Sequence, residues 1–395
     1  MKILYLTSNE ILKNNGGAIE NRKIYISLKN IASKKNNINL ETISLDKDIK
    51  NKLNIKIKKN NFKQYFARFF SHSTYFYFEW LKIREKIIKF NPDILILGNS
   101  RLGFIATHIK KNLNDCYIIG QFHNIEYNYV DAKKMEYKNK LIRKTFTFLE
   151  KKSVKNDEEA MLNNMDLGLF LTKRDALQAQ KLYNFNGDFN ILPICTKKDE
   201  IELKNENEYD INLVFIGSLW YASNANGIMW FVENIWSFLI NKYDNINLIV
   251  GGSRPSNDLK EYLNSQKNIE LHPNFNSIED IVPINSFFVA PIRKGAGMKV
   301  KVADALSMGL KVFSSEEALV GYEEAYNDDI NDSIIIKCNN EEEFVKKIEK
   351  NISSDLKFNE INKKAKSLHK KYYSLMRAEE QLANLLDKIE ESLNL

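Results

Sequence analysis

One stretch of the chain, from Phe287 to Ser315, constrains the fold more than any other. It reads FFVAPIRKGAGMKVKVADALSMGLKVFSS, with an apolar run up to Pro291, a turn rich in glycine and lysine, apolar residues at helical spacing, and a second apolar run after Gly309. This pattern predicts a strand, a loop, a short helix and a second strand. Both halves of the chain alternate in the same way, which predicts an α/β fold.

The turn in this stretch has the composition of a phosphate-binding loop. Gly295 and Gly297 allow backbone N–H groups to point at an anion, and the following helix presents its positive N-terminal end. Four basic residues surround the turn: Arg293, Lys294, Lys299 and Lys301. An alternative remains open, because glycine-rich turns between strand and helix also serve only to pack the helix on the sheet.

Length and composition limit the architecture and the partners. A chain of 395 residues exceeds what one core usually supports, and we predict domains at residues 1–200 and 201–372, a C-terminal helix at 373–395, and a linking segment from Thr196 to Asp210. The net charge of +7 is a modest surplus of basic residues, smaller than is typical of a nucleic-acid-binding protein.

The three cysteines and the start of the chain indicate the cellular compartment of the protein. The cysteines are odd in number and far apart, which predicts neither a disulfide framework nor a zinc site. The chain starts directly on a strand pattern, MKILYLTS, and no secretory leader is expected. These features predict a cytoplasmic protein.

The order of residues after Pro291 carries a family resemblance. Gly-Ala-Gly-Met-Lys, then Lys301, Asp304 and Gly309, resembles the donor-site signature P-x-x-x-G-x-G-x-[RK]-x-K-x-x-E-A-x-x-x-G of family 4 (group 1) glycosyltransferases with the GT-B fold. The resemblance implies two Rossmann-like, doubly wound domains facing a cleft, with the C-terminal helix crossing back to the first domain. It also implies that the acidic residue holds the ribose of a sugar nucleotide and that basic groups hold its diphosphate.

This sequence departs from the family pattern at three places. Asp304 stands where Glu is usual, and Ala296 stands where many members place a second Glu that contacts the donor sugar. The Arg and Lys that many members carry near GSLWYASNANGIMWF are absent, so Arg293, Lys299 or Lys301 has to hold the diphosphate.

The resemblance implies a donor site built from several loops. The donor-binding residues it implies are Gly16, Gly17, Gly217, Ser218, Asn224, Gly251, Arg254, Phe275, Arg293, Gly295, Ala296, Gly297, Met298 and Lys299. Lys301 and Asp304 would act there in catalysis. The sugar nucleotide is a co-substrate, and no metal or other cofactor is expected.

A histidine follows the predicted strand Tyr117 to Phe122, in QFHNIEYNY. Its position at the carboxyl end of a strand is where ligands bind in open α/β sheets. His-Asn-x-Glu also resembles the acceptor-side motif of the family, which implies a catalytic role for His123 and acceptor contacts for Asn124 and Glu126. Arg22 would join them, although a solvated helix face is the alternative for that residue.

A basic and aromatic segment lies in the first half. Seven lysines lie between residues 47 and 63. Aromatic residues at helical spacing begin at the end of this stretch, namely Phe62, Tyr65, Phe66, Phe69 and Phe70. Two interpretations remain open: contact with an anionic membrane surface or a lipid-linked acceptor, or an aromatic stripe in the core beside a solvated lysine loop. Asp46-Lys47-Asp48 matches a metal-binding Asp-x-Asp only formally, because it lies in the lysine-rich loop.

The residues by themselves indicate only the anion site, whereas the resemblance implies a metal-independent, retaining glycosyltransferase of the hexosyltransferase type. It would move a sugar from a nucleoside diphosphate, most commonly UDP in this family, to a glycan or lipid-linked acceptor of bacterial surface polysaccharide, at the inner face of the cell membrane. The alternatives are a GT-B sugar-nucleotide epimerase or phosphorylase, and a sugar-nucleotide-binding protein without transfer activity. A nucleic-acid partner is not expected.

Overall fold

The protein consists of two compact units. The first comprises Met1–Ile194 and Leu375–Leu395, and the second comprises Cys195–Ser374. The sequence-based boundaries are at residues 200 and 372. The computed structural model describes the whole chain except residues 13–15, 54, 59, 133–139, 197–202, 204–206, 330–332, 355–356 and 395. Most of the predicted linking segment therefore lies outside the described residues.

The first unit is built on a six-stranded parallel sheet of order β2-β1-β3-β4-β5-β6. Its strands are β1 Lys2–Leu6, β2 Asn39–Ile43, β3 Ile94–Leu97, β4 Tyr117–Phe122, β5 Leu167–Phe170 and β6 Phe189–Ile191. Its helices are α1 Gly16–Lys34, α2 Asn61–Phe66, α3 Phe76–Phe90, α4 Gly103–Asn112, α5 Glu126–Ala132, α6 Lys140–Asn164 and α7 Lys173–Tyr183. Helices cover both faces of the sheet, so strands such as β3 are apolar and buried throughout.

The second unit repeats this architecture with strand order β12-β11-β10-β7-β8-β9. Its strands are β7 Ile211–Ile216, β8 Ile246–Gly252, β9 Ile269–Pro273, β10 Ser286–Ala290, β11 Lys311–Ser314 and β12 Ile335–Lys337. Its helices are α8 Ala222–Phe231, α9 Ser237–Lys242, α10 Asn257–Asn264, α11 Val300–Ser307, α12 Glu323–Asp328, α13 Glu341–Ile352 and α14 Phe358–Tyr372. The strand order reverses between β7 and β10, which is where doubly wound sheets bind ligands at their carboxyl ends.

The last helix, α15 Leu375–Leu393, belongs to the first unit. Its apolar face buries Leu382 and Leu386, and Glu379 accepts a hydrogen bond from Asn30 of α1 at 2.8 Å. Lys35, which directly follows α1, forms an ion pair with Asp387. The chain thus returns to its first unit after completing the second. Within the described residues, no helix combines the length and the apolar character needed to cross a membrane.

Two helices have features that the sequence pattern does not reveal. The first helix begins at Gly16, so Gly16 and Gly17 lie inside its first turn. A π-helical segment, Val232–Trp236, lies between α8 and α9. Apolar periodicity does not reveal such a one-turn widening, because it keeps the same side buried.

Candidate functional site

The loop between β10 and α11 is held in a fixed shape by Lys299. The ammonium donates hydrogen bonds to the carbonyl oxygens of Gly297, at 2.8 Å, and Ala296, at 3.2 Å, and it forms an ion pair with Glu317 at 3.0 Å. Gly297 has φ +62°, a conformation that glycine adopts without strain. Lys299, which the sequence assigns to the donor diphosphate, is thus already paired with a carboxylate and stabilises the loop.

Lys301, the second residue of α11, is in a different situation. Its ammonium donates to the side-chain oxygen of Asn224 at 2.6 Å and lies 4.4 Å from the ring centroid of Phe215. Burial, and secondarily the charge of Lys299, lowers the pKa of Lys301 to about 7. Among the described residues, no carboxylate lies within ion-pair distance of this ammonium. A half-buried cation without an anionic partner favours binding of an anion.

Asn224 and Gly217 fix the direction of the Lys301 side chain. The Asn224 amide nitrogen donates to the carbonyl oxygen of Ser218 at 3.0 Å, which turns the amide oxygen toward Lys301. A Cβ atom on Gly217 would lie 2.8 Å from the Lys301 ammonium. Gly217 and Ser218 directly follow β7, whereas Lys301 follows β10, so the cation lies at the point where the strand order reverses.

A buried tyrosine supports the beginning of α11. The Tyr322 hydroxyl donates to the carbonyl oxygen of Lys299 at 2.7 Å and accepts from the Ala303 N–H at 3.0 Å. Asp304 lies in the same helix, one position further, and is half-buried. Neither Tyr322 nor Glu317 is found by sequence reasoning, since both follow β11 and no motif connects them to the loop.

The other predicted donor residues of the second unit follow strands of the same sheet, but they are in separate contacts. The Arg293 guanidinium stacks 4.9 Å from the Trp230 ring, and the Arg254 guanidinium stacks 4.8 Å from the Trp220 ring. A Cβ atom on Gly251 would lie 2.9 Å from the Phe275 ring, which places Phe275 against the end of β8. Gly295 and Met298 belong to the loop that Lys299 holds.

In the first unit, His123 directly follows β4. Its Nε2 atom is buried without a hydrogen-bond partner among the described residues, and the side-chain oxygen of Asn124 is in the same state. The pKa of His123 is lowered to about 4, mainly by burial; the charge of Glu126 opposes this shift, and the charge of Lys23 adds to it. His123 is therefore neutral at pH 7, and its buried Nε2 atom has no hydrogen-bond partner among the described residues.

Glu126 and Arg22 are engaged in structural contacts that sequence reasoning did not foresee. The Glu126 carboxylate accepts two hydrogen bonds from the Arg101 guanidinium, at 2.7 and 2.9 Å, and Arg101 also pairs with Glu150. The Arg22 side chain donates to the carbonyl oxygen of Ile11 at 3.1 Å. Both side chains are thus held by contacts within the first unit, and their proposed contacts with an acceptor stay a prediction.

Asp46 likewise has a structural role. Its carboxylate accepts hydrogen bonds from the N–H groups of Ile11, at 2.5 Å, and Leu12, at 3.2 Å, and from the Ser44 hydroxyl at 3.1 Å. This accounts for Asp46 without a metal ion.

Part of the second unit matches a family model. Residues 210–354 match the model described as Glycosyl transferases group 1. The matched residues contain the loop that Lys299 holds, the cation of Lys301, and Asn224, which orients that cation. Assignment to family 4 within this group stays a prediction.

Solved structures share the fold over nearly the full chain. Sucrose-phosphate synthase from Thermosynechococcus elongatus has a TM-score of 0.65 at 12% identity, covering 99% of this chain and 100% of that one. A glycosyltransferase from Rickettsia africae has a TM-score of 0.64 at 15% identity, covering 98% of both chains. The lipopolysaccharide outer core galactosyltransferase WaaB has a TM-score of 0.61 at 11% identity, covering 98% of this chain and 100% of that one. The predicted GT-B fold is confirmed.

A protein in the cps region of Klebsiella pneumoniae, of 44.6 kDa, is similar in sequence. It is 26% identical over 200 residues, which are 49% of this chain and 50% of that protein. The match thus spans about half the length of the curated relative.

Proposed function

We propose that the protein is a retaining glycosyltransferase that moves a hexose-type sugar from a nucleoside diphosphate, UDP in the first instance, to a glycan or lipid-linked acceptor. The observation that carries the proposal is Lys301, a half-buried ammonium in the part of the chain that matches the group 1 model, which is oriented by Asn224 and has no carboxylate partner among the described residues. A diphosphate supplies the negative charge that this position accepts.

The chemistry follows from where charge develops. As the bond between the anomeric carbon and the phosphate oxygen breaks, negative charge grows on the leaving diphosphate. The Lys301 ammonium and the N-terminal end of α11 stabilise that charge in the transition state. A new bond forms between the anomeric carbon and the acceptor oxygen on the same face, and the acceptor proton passes to the leaving phosphate oxygen. In this scheme the protein's own cations and N–H groups take the part that a metal ion has in other transferases.

Two further residues have proposed roles. Asp304, one turn into α11, would accept hydrogen bonds from the ribose hydroxyls, as its place in the family signature implies. His123 would orient the acceptor hydroxyl through its unpartnered Nε2 atom, and because the imidazole is neutral at pH 7 it can do so without bringing charge to the site.

The relatives favour surface polysaccharide as the product. One relative is a protein of the cps (capsule) region, and one structural neighbour is a galactosyltransferase of the lipopolysaccharide outer core. These descriptions belong to those proteins, and they support the choice of acceptor class for this one.

A donor and acceptor screen tests the proposal. The protein is incubated with UDP-, GDP-, ADP- and CMP-sugars, alone and with oligosaccharide or lipid-linked acceptors, and products are followed by mass spectrometry and by NMR of the anomeric proton. The proposal predicts transfer from one diphosphate donor with the anomeric configuration kept. Conversion of a sugar nucleotide without any acceptor would instead identify an epimerase, and binding without turnover across the panel would identify a sugar-nucleotide-binding protein.

A further inference from the structure

Five neighbouring aromatic side chains are exposed on the first unit, and the four phenylalanine rings among them are in contact. We call this surface the aromatic face; it consists of Phe62, Tyr65, Phe66, Phe69 and Phe70, each between 46% and 78% exposed. The Phe66 ring lies 6.2 Å from the Phe62 ring, 6.0 Å from the Phe69 ring and 5.6 Å from the Phe70 ring, measured between centroids. The interpretation of these residues as a core stripe is therefore wrong. Contiguous apolar surface of this kind marks an interaction site.

The aromatic face is held rigidly from behind. Ala67, on the opposite side of the segment, is fully buried, and the Lys63 ammonium forms an ion pair with Glu79 at 2.7 Å. The Arg68 guanidinium forms an ion pair with Glu150 of α6. The Gln64 side chain donates to the Ser73 carbonyl oxygen at 2.7 Å. Each of these contacts fixes the orientation in which the rings face outward.

The charge of the protein is concentrated around the same segment. Residues 46–90 contain twelve Lys and Arg against four Asp and Glu, a net charge of +8, whereas the whole chain has +7. The rest of the chain is thus close to neutral. Ile55 and Ile57 are buried, while Lys56 and Lys58, which alternate with them, are exposed. Lys58 is four residues from Phe62, so their Cα atoms lie within about 14 Å of each other.

We infer that the aromatic face and its flanking lysines bind the surface of an anionic lipid bilayer. Aromatic rings are the side chains that favour the boundary between hydrocarbon and head groups. Exposed lysines beside them are attracted by the negative surface potential of anionic lipids, at roughly 1 kcal/mol each. Contact would be peripheral, by insertion of rings to the depth of the head groups.

The charge decides against a second copy of the chain as the occupant. In a twofold dimer the same surface meets itself, so the exposed lysines near the aromatic face, among them Lys56 and Lys58, would lie close to those of the second copy. Repulsion between like charges opposes that arrangement, whereas it adds to the attraction for an anionic membrane.

Vesicle binding by matched variants tests the inference. The double variant Phe62→Ser and Phe69→Ser removes the two most exposed rings, and Phe238→Ser, which is 64% exposed in the second unit, is the control for loss of an exposed phenylalanine. Lys56→Gln with Lys58→Gln removes charge, and Lys363→Gln with Lys364→Gln, both exposed on α14, is the matched control. Co-sedimentation uses phosphatidylcholine vesicles with and without phosphatidylglycerol.

We expect wild type and both controls to bind only the vesicles that contain phosphatidylglycerol. The lysine variant should bind about fivefold more weakly for each charge removed, and salt should weaken wild-type binding, since exposed charges are screened over about 10 Å at 0.1 M. The phenylalanine variant should bind these vesicles at least about tenfold more weakly, because each inserted ring removes apolar area from water. Its melting temperature and sugar-nucleotide affinity should stay at wild-type values, which separates this inference from the proposed function.

Four results would overturn the inference. No binding to either kind of vesicle removes the bilayer as the occupant, and equal binding to neutral and anionic vesicles contradicts the attraction of the lysines for an anionic surface. Concentration-dependent dimers in sedimentation velocity that Phe62→Ser with Phe69→Ser abolishes would assign the aromatic face to a second copy. Competition of a single-stranded RNA oligonucleotide for the aromatic face, without vesicle binding, would assign it to nucleic acid.

Discussion

The side-chain oxygen of Asn224 lies 2.6 Å from the ammonium of Lys301, and this hydrogen bond orients the ammonium. An amide oxygen directs the ammonium without neutralising it. Asn224→Asp keeps the size of the side chain but pairs Lys301 with a carboxylate, with which a diphosphate would have to compete. We expect affinity for a nucleoside diphosphate to fall about tenfold or more. Calorimetric titration measures this, and an unchanged dissociation constant would mean that Lys301 does not bind the diphosphate.

Gly217 leaves the space that the Lys301 ammonium occupies. In Gly217→Ala the new Cβ would be 2.8 Å from that ammonium, which is the flexible end of a side chain and can move away. The free energy of unfolding should therefore change by less than about 1 kcal/mol, while donor affinity decreases because the cation is displaced. Denaturant unfolding and donor titration on one preparation check both. A large loss of stability would indicate that Gly217 is needed only for packing.

Lys299 and Lys301 should respond in opposite ways to removal of their charge. Lys299→Met removes the ion pair with the Glu317 carboxylate and the hydrogen-bond donor of two loop carbonyls, so we expect a loss of about 1 to 3 kcal/mol of stability. Lys301→Met removes a half-buried charge that lacks a carboxylate partner among the described residues, so stability should hold or increase while donor binding is lost. If the two variants changed stability and donor affinity equally, the assignment of Lys299 to the loop and of Lys301 to the donor would be contradicted.

His123 is expected to act on transfer rather than on donor binding. His123→Ala removes the unpartnered Nε2 atom, and we expect turnover to fall about a hundredfold with donor affinity within a few-fold of wild type. The depressed pKa of about 4 also has a consequence for stability. Between the ordinary pKa of 6.5 and 4 the unfolded state binds the proton and the folded state does not, so stability falls as pH falls through that window.

The stability of wild type and of His123→Ala, measured over a range of pH, distinguishes a role of His123 in the site from a role in the core. The variant should show a shallower loss of stability below pH 6.5, because it lacks this titrating group. If it melts early at every pH and loses donor binding as well, His123 is a core residue and not part of the site.

The fold could be predicted from the sequence because parallel strands and their helices follow directly from apolar patterning. The strand from Ser286 to Ala290, the loop and the helix from Val300 all lie where the pattern indicates. The environment of each charge could not be predicted. Lys299 and Lys301 are two residues apart and look equivalent in the sequence, yet only the fold brings Glu317 to the first and Asn224 to the second.

The exposure of the aromatic residues could not be predicted from the sequence either. Helical spacing predicts that Phe62, Phe66 and Phe69 share a face, but it does not state whether that face meets the core or the solvent. The side that packs inward carries Ala67 and the ion pair of Arg68 with Glu150. A charged partner 82 residues away in the chain is not visible in a local pattern.

Titration of a sugar nucleotide below and above pH 7 tests the central claim, that Lys301 binds the donor diphosphate, most directly. Because the free Lys301 has a pKa of about 7, its ammonium loses the proton as pH rises through that value, and a sugar nucleotide has no group that titrates there. We predict that wild-type affinity decreases above pH 7, that Lys301→Gln binds weakly at every pH without this dependence, and that the exposed-site control Lys346→Gln behaves as wild type. Equal affinity and equal pH dependence in wild type and Lys301→Gln would contradict the account.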